Sequence, residues 1–266
     1  MTDVALADLP AAAKIAHGGQ GTVFRLVDGT LLKLYHPGVA VLSDELRRLI
    51  DLPGGRGDLS GAPVAWPSGR VFDGGRCVGT LMPEVPDRFA TSLAGRRRLL
   101  ELQFLLYPRR AMWADLRLPT GRERRRIAAA YVELFRVLHR NGVVIGDVSM
   151  RNLLWTVAGG PSVFAIDCDG FRLKGRPPAV RTVDTAGWSD PARPAEVSVD
   201  TDRYKLALVT LRVLLGDHEV TPEDVYREES HRRVLGQDLT ALARYAVRPG
   251  RRPAAECWLG ALGAES

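Results

Sequence analysis

Apolar residues in the first third of the chain form short runs that are separated by glycine, proline and aspartate. Short β-branched and apolar runs bounded by turn residues are typical of β-strands. One helical pattern interrupts them, because Ser43 is a suitable N-cap, Leu46, Leu49 and Ile50 follow at helical spacing, and Pro53 comes next. The expected strands, all between residues 13 and 85, are AKIAHGG, TVFRLVDG, TLLKLY, GAPVAW, SGRVFDG and CVGTLMPEV.

After Pro86 the apolar residues change to a helical period. One helix has Ile127, Tyr131, Leu134, Phe135 and Leu138 on its apolar face, with the typical stop signal Asn141-Gly142. The runs NLLW and VFAI then flank the turn residues VAGGPS, which predicts a β-hairpin. Residues 202–215 are apolar on nearly every face and indicate a buried helix. The pattern predicts an α+β protein with a small β-rich lobe, residues 1–85, and a larger α-helical lobe, residues 86–266.

Composition narrows the class of protein further. The 266 residues are 45% hydrophobic and 26% charged, which excludes disordered, collagen-like and coiled-coil chains. The longest apolar stretch, residues 206–215, is too short to span a bilayer, and the N-terminus has no signal-peptide pattern. Cys77, Cys168 and Cys257 are too widely spaced to indicate a disulfide framework or a zinc site. We therefore expect a cytoplasmic protein without a membrane partner.

The net charge of +6 is carried by four lysines and thirty-three arginines. Many of the arginines lie in one region, at positions 96–98, 109, 110, 122 and 124–126. No nucleic-acid-binding motif accompanies them, so the pattern favours a solvated helical face and makes nucleic acid an unexpected partner.

A glycine-rich segment, AHGGQGTV at residues 16–23, lies between two expected strands. Gly18, Gly19 and Gly21 would let backbone amides approach a triphosphate closely, and Val23 follows them. The pattern G-x-G-x-x-G-x-V is matched except at its first glycine, which is Ala16 here. A tight hairpin without a ligand is the alternative interpretation.

Lys33 lies ten residues after Val23, inside the apolar run LLKLY. An ammonium in such a strand is costly to bury unless it meets an anion, although an alternating strand can also expose it. The scarcity of lysine in the chain favours a phosphate-binding role. Glu45 on the short helix is the expected carboxylate partner of Lys33, and an exposed acid in a first helical turn is the alternative.

Asp147 and Asn152 have a separation of five residues within segment 138–154, LHRNGVVIGDVSMRNLL. This segment resembles the catalytic loop H-R-D-x-x-x-x-N of protein kinases, with its preceding helix. In that loop the aspartate orients a substrate hydroxyl and accepts its proton, while the asparagine coordinates a metal that bridges the phosphates.

Asp167 ends the apolar run VFAI within the segment VFAIDCDGF, residues 163–171. Its place resembles that of the metal-binding aspartate in the kinase D-F-G motif. Asp169 stands where glycine is usual, so either a second carboxylate approaches the metal or Asp169-Gly170-Phe171 is the working unit. The apolar run that ends at Ile166 favours Asp167.

Later segments extend the resemblance in chain order over nearly the whole sequence. Residues 202–207, DRYKLA, are similar to the start of the buried kinase helix, and Arg252-Pro253 is similar to the closing R-P segment. The chain thus resembles the protein-kinase-like superfamily, in particular divergent bacterial eukaryotic-like Ser/Thr kinases. The resemblance implies a bilobal fold, ATP and Mg²⁺ as cofactors, and an unknown protein substrate. It also implies nucleotide contacts at Gly18, Gly19, Gly21, Val23, Lys33, Glu45, Met82, Glu84, Val85, Asn152 and Asp167.

The chain departs from the family near the catalytic aspartate. Ile145-Gly146 replaces the usual His-Arg, so we do not expect activation by loop phosphorylation. Ser149 occupies the usual lysine position, and Arg151 is expected to supply the missing catalytic charge. Gly146-Asp147 is also similar to the motif of aminoglycoside and choline phosphotransferases, which act on small molecules. A nucleotide-binding pseudokinase scaffold is the non-enzymatic alternative.

Overall fold

The computed structural model describes residues 2–10, 12–52, 59, 61–113, 115–181, 185–192 and 194–263. It confirms a mixed α+β protein, with seven α-helices, one six-stranded sheet and three two-stranded sheets in this part of the chain. The strands are mostly in the first hundred residues, and the long helices follow.

The six-stranded sheet contains β1 (Thr2–Ala5), β2 (Ala13–His17), β3 (Gly21–Arg25), β4 (Leu31–Tyr35), β5 (Gly69–Asp73) and β6 (Arg76–Met82). Its order is β1-β5-β6-β4-β3-β2, and only the β1–β5 pair is parallel. Helix α1 (Ser43–Asp51) packs on β5 through the apolar face that the sequence predicts, with Leu46 and Leu49 buried. The expected stop at Pro53 lies outside the described residues.

Three details of this region differ from expectation. Ser43 is the first helical residue and not the N-cap, because its hydroxyl accepts a hydrogen bond from Arg70 Nη1 at 2.9 Å. The segment GAPVAW contributes a single bridge, from Val64 to Ala165, because it contacts a neighbouring hairpin and not the large sheet. Strand β1, which no pattern indicated, is tied to the sheet by an ion pair between Asp3 and Arg70.

Helices follow Pro86 later than expected, because a hairpin of β7 (Ala90–Leu93) and β8 (Arg96–Leu99) comes first. Three arginines of the expected helical face, Arg96 to Arg98, therefore lie on a strand. The helix α2 (Gln103–Leu106) leads to α3 (Gly121–Arg140), where Arg124 and Arg125 donate to carbonyl oxygens of other segments and are not simply solvated.

The core of the helical region forms around α3 and α4 (Val199–Leu215), which pack against each other. Helix α4 is buried on nearly every face, as its sequence predicts, and α3 ends at Arg140, with Asn141 as its C-cap and Gly142 at a φ of 71°. The strands β9 (Val143–Val144), β10 (Leu153–Thr156), β11 (Ser162–Ala165) and β12 (Arg172–Leu173) lie between these two helices in sequence, and β10 and β11 form the expected hairpin. The remaining helices are α5 (Pro222–Arg227), α6 (Glu229–Ala246) and α7 (Ala255–Gly263).

No helix in the described ranges combines the length and the apolar character needed to cross a membrane.

Candidate active site

The segment that carries Asp147 is held in place by the buried helix α4. The Asp202 carboxylate accepts hydrogen bonds from the amides of Ile145 at 2.7 Å and of Gly146 at 3.0 Å, and its side chain is fully buried. Lys205, one helical turn later, donates to the Gly146 carbonyl oxygen at 2.5 Å. Because both anchors come from one helix, the backbone is fixed immediately before Asp147.

Gly146 is required at its position by geometry. Its φ is 75°, a left-handed conformation that favours glycine, and an added Cβ would lie 3.2 Å from Nη2 of Arg172. The Arg172 guanidinium, from strand β12, thus lies directly beside Gly146.

A small cavity of about 30 Å³ brings together three of the expected site residues. Its lining residues are Gln20, Ile145, Asp147, Asn152, Asp167, Gly170 and Phe171. Asn152 Nδ2 also lies 3.5 Å from the Asp147 carbonyl oxygen. Polar side chains from two places therefore line the same cavity. One place is the turn between β9 and β10, and the other is the end of the β10–β11 hairpin.

Lys33 reaches this place from strand β4 with only 4% of the residue exposed. Its Nζ lies 2.9 Å from Asp169 Oδ1, 3.3 Å from Asp167 Oδ1 and 3.4 Å from Gln20 Oε1. Burial lowers the pKa of this ammonium, but the charges of Asp169 and Asp167 more than offset burial and raise its pKa. Lys33 is therefore charged in the folded protein.

Asp167 and Asp169 occupy different environments at the end of the hairpin. The Asp167 side chain is 47% exposed and faces the cavity, whereas that of Asp169 is 2% exposed and lies behind it, against Lys33. Asp167 also has a φ of 58°, an uncommon backbone conformation for a residue other than glycine, of the kind that clusters at functional sites. This arrangement favours Asp167 over Asp169 as a metal ligand.

The expected pair between Lys33 and Glu45 is wrong. Glu45 forms a two-fold hydrogen-bonded pair with Arg176, through Nε at 2.7 Å and Nη2 at 2.5 Å, and Lys33 pairs with the two aspartates. The physical reason is that α1 is tied to the segment after β12, where the Leu42 amide donates to the Ala179 carbonyl at 2.8 Å. The Glu45 side chain consequently meets Arg176.

The glycine-rich segment folds as a tight hairpin between β2 and β3. The Gly18 amide donates to the Gly21 carbonyl at 2.9 Å, and an added Cβ at Gly21 would lie 2.4 Å from the Leu34 carbonyl oxygen. A Cβ added at Gly19 would have no other atom within 4 Å. Gln20, at the tip, lies over the cavity, and its Nε2 donates to the Arg181 carbonyl at 3.1 Å.

The remaining expected contacts divide into two groups. Met82 and Val85 join Leu154 and Phe164 in one buried apolar cluster, against which Val23 packs. The side chains of Glu84 and Arg151 are not in this cluster. The Glu84 carboxylate accepts a hydrogen bond from Arg25 Nε at 2.8 Å. Arg151 is exposed and does not line the cavity.

Two residues at the site escaped the sequence analysis, namely Gln20 as a side chain and Thr185. The Thr185 hydroxyl lies 3.1 Å from Asp147 Oδ1, to which it donates a hydrogen bond. Gln20 belongs to the glycine-rich segment, so its position near the site follows from that motif. Nothing in the local pattern around Thr185 indicates its role, because it lies 38 residues from its partner.

Asp167 and Asn152 are the residues that fit a divalent cation. Mg²⁺ typically takes one or two protein oxygens and completes its shell with water and substrate phosphates, which matches one half-exposed carboxylate and one amide at a common cavity. No cluster of three or more His, Cys, Asp or Glu side chains that suits a metal occurs in the described ranges.

Comparison with known proteins finds no family model that matches the chain, and no curated protein matches it significantly.

Proposed function

We propose that this protein transfers the γ-phosphoryl group of ATP to the hydroxyl group of a protein, with the sheet region and the helical region acting as the two lobes of a protein-kinase-like domain. The observation that carries the proposal is the convergence of Lys33, Asp147, Asn152 and Asp167 on one place in the fold. These residues come from three separate segments, namely strand β4, the turn between β9 and β10, and the end of β11, and each has a distinct task in phosphoryl transfer.

Nucleotide binding follows from charge and shape. Lys33 offers a preorganised positive charge to the phosphates, and a purine would have to pack against the buried apolar cluster that contains Met82, Val85 and Leu154. Asn152 and Asp167 would hold Mg²⁺, which would neutralise charge on the phosphate oxygens. Gln20 lines this cavity of about 30 Å³, so the proposal requires its side chain to move aside for a triphosphate.

Asp147 orients the acceptor hydroxyl. The hydrogen bond that its Oδ1 accepts from the Thr185 hydroxyl supports this role, because the carboxylate already binds one hydroxyl group. In the transfer step the acceptor oxygen forms a bond to the γ-phosphorus while the bond to the β,γ-bridging oxygen breaks. The acceptor proton passes to Asp147, and ADP leaves.

Asp147→Ala tests this proposal. The variant should bind ATP with nearly unchanged affinity, because Asp147 contacts the acceptor and not the nucleotide, while phosphoryl transfer falls roughly 10²- to 10⁴-fold. Transfer is measured with γ-labelled ATP and Mg²⁺, with the protein itself, casein, and a panel of aminoalcohols and sugars as acceptors.

The matched control is Asp238→Ala, which removes an exposed aspartate of α6 and should retain wild-type transfer. Transfer to small hydroxyl compounds alone would replace the proposal with a small-molecule phosphotransferase. ATP binding without transfer to any acceptor, in wild type and Asp147→Ala alike, would replace it with a nucleotide-binding scaffold.

A further inference from the structure

Lys33 has one fully buried carboxylate partner. The distance from its Nζ to Asp169 Oδ1 is 2.9 Å, and the two side chains are 5% and 2% exposed. The contact with Asp167 is longer, at 3.3 Å, and that carboxylate is 47% exposed. Water and salt screen the exposed charge more strongly than the buried one, so Asp169 has the larger influence on where the ammonium lies.

Helix α1 has no comparable hold on Lys33. Both carboxylate oxygens of Glu45 are engaged by Arg176, and the Glu45 side chain is only 12% exposed, so this pair is itself partly protected from water. The start of α1 is fastened to the same segment through the Leu42 amide. Glu45, which was expected to pair with Lys33, thus connects α1 with residues 176–179.

Asp169 shares its buried surroundings with the Tyr35 hydroxyl. Asp169 Oδ2 and the Tyr35 hydroxyl are both buried, and burial first, then the charge of Asp169 and a hydrogen bond to it, raise the pKa of Tyr35 well above its ordinary value. The Tyr35 ring centroid lies 5.9 Å from Lys33 Nζ, so these groups belong to one buried cluster. Lys33 is the cation that compensates the buried charge of Asp169, so removal of either partner leaves the other charge buried without its main counter-charge.

We infer that Asp169 is the positioning residue for Lys33. Its buried carboxylate fixes the position of the Lys33 ammonium next to the cavity. Because Glu45 of α1 pairs with Arg176, the orientation of Lys33 is independent of helix α1. The inference rests on the proposed function, because it takes the phosphates of ATP to be the anion that Lys33 meets. It assigns Asp169 a task separate from metal binding, which falls to Asp167 and Asn152.

A double-mutant cycle tests the inference in the intact chain. The variants are Lys33→Met, Asp169→Asn and the two together, with Glu45→Gln as the competing carboxylate. For each variant, the dissociation constants of ATP and of adenosine are measured. The ratio of the adenosine Kd to the ATP Kd isolates the contribution of the phosphates, and it falls when phosphate contacts are lost. A residue that only supports the fold would weaken adenosine and ATP alike and leave this ratio unchanged.

We expect Lys33→Met to reduce the phosphate-dependent ratio roughly tenfold to a hundredfold, as loss of a charged hydrogen-bonding group does. Asp169→Asn should reduce it by a similar factor, and the double variant should be no worse than Lys33→Met, because one residue acts through the other. Glu45→Gln should leave the ratio near the wild-type value. Additive losses, or a loss in Glu45→Gln that equals that of Asp169→Asn, would overturn the inference.

Urea unfolding of the nucleotide-free variants provides a second measurement. Each single substitution leaves one charge buried without its main partner and should lower the unfolding midpoint, whereas the double variant removes both charges and should recover part of the loss. Equal and additive shifts of the midpoint contradict the pairing directly. Failure of the wild type to bind ATP overturns the proposed function as well, whereas ATP binding with additive losses overturns the positioning role alone.

Discussion

Asp167 and Asp169 lie two residues apart, yet the fold gives their carboxylates opposite surroundings. One side chain is half-exposed at a cavity that also contains Asn152, and the other is sealed against Lys33. The intervening Cys168 is fully buried, and the left-handed backbone of Asp167 turns the chain between them. Substitutions at these two positions should therefore have separable effects.

Asp167→Asn should abolish the dependence of ATP affinity on Mg²⁺. The change removes the only charged metal ligand that we assign and preserves the shape of the side chain, so the affinity for ATP in EDTA should change little. The measurement is an ATP titration with and without Mg²⁺, in which binding is detected by fluorescence or calorimetry. Asp169→Asn serves as the comparison, and it should keep a clear Mg²⁺ dependence; the reverse order would transfer the metal to Asp169.

At this scale the sequence predicts spacing better than pairing. The five-residue separation of Asp147 and Asn152 indicated a common site, and the structure brings both to one cavity. The partner of Lys33 was not predictable, because several acids were available and only the packing of α1 against residues 176–179 directs Glu45 to Arg176. Thr185 was missed for a related reason, since its contact is set by tertiary structure alone.

Helix α3 begins with a capping box that adds a pH-dependent contribution to stability. The Thr120 hydroxyl accepts from the Glu123 amide at 3.3 Å, and the Glu123 carboxylate accepts from the Thr120 amide at 2.9 Å. Arg117 adds a hydrogen bond at 2.8 Å. These donors, Arg117 first, lower the pKa of Glu123 from 4.5 to about 2.

We expect Glu123→Gln to flatten the acid side of the stability profile. A carboxylate whose pKa is lower in the folded state stabilises the protein fully above pH 4.5, and this contribution is lost as the pH falls towards 2. The wild type should therefore lose more stability than Glu123→Gln over that interval, as measured by urea midpoints at successive pH values. Parallel profiles for the two proteins would contradict the assignment, and Asp238→Asn controls for loss of an exposed acid.

Whole helices and strands were predictable where the apolar residues kept one spacing over the length of the element. The apolar positions of α3 and the all-round apolar character of α4 identified both helices, and turn residues identified the β10–β11 hairpin. The β7–β8 hairpin was missed because β8 carries three successive exposed arginines and offers no alternating pattern. Strand β1 was missed because its pairing with β5 is parallel and therefore distant in sequence.

On the scale of the molecule, one buried ion pair links the end of the chain to the segment before α4. Arg252 is 3% exposed, and it contacts Asp190 through Nη1 at 2.5 Å and Nη2 at 2.8 Å. It also donates to the carbonyls of Ala246 and Asp200 and lies 5.2 Å from the Tyr204 ring centroid. Four segments therefore depend on a single guanidinium.

Asp190→Asn should destabilise the protein by up to about 3–5 kcal/mol, because it leaves the buried Arg252 charge with only the longer, 3.4 Å contact to the partly exposed Asp200 carboxylate. The free energy of unfolding is measured by urea denaturation. Arg233→Leu removes a member of an exposed pair with Glu229, in which the side chains are 78% and 75% exposed, and it should change stability little. Similar effects for the two variants would contradict the role assigned to the buried pair.

Gln20 joins two distant parts of the molecule through one amide. Its Oε1 accepts from Lys33, and its Nε2 donates to the Arg181 carbonyl, so the hairpin tip is fastened on both sides of a cavity of about 30 Å³. A cavity of that volume has room for water. If a triphosphate binds here as proposed, both hydrogen bonds have to break before it enters. The rate of ATP binding should then level off at high ATP concentration, where the opening of the hairpin limits it.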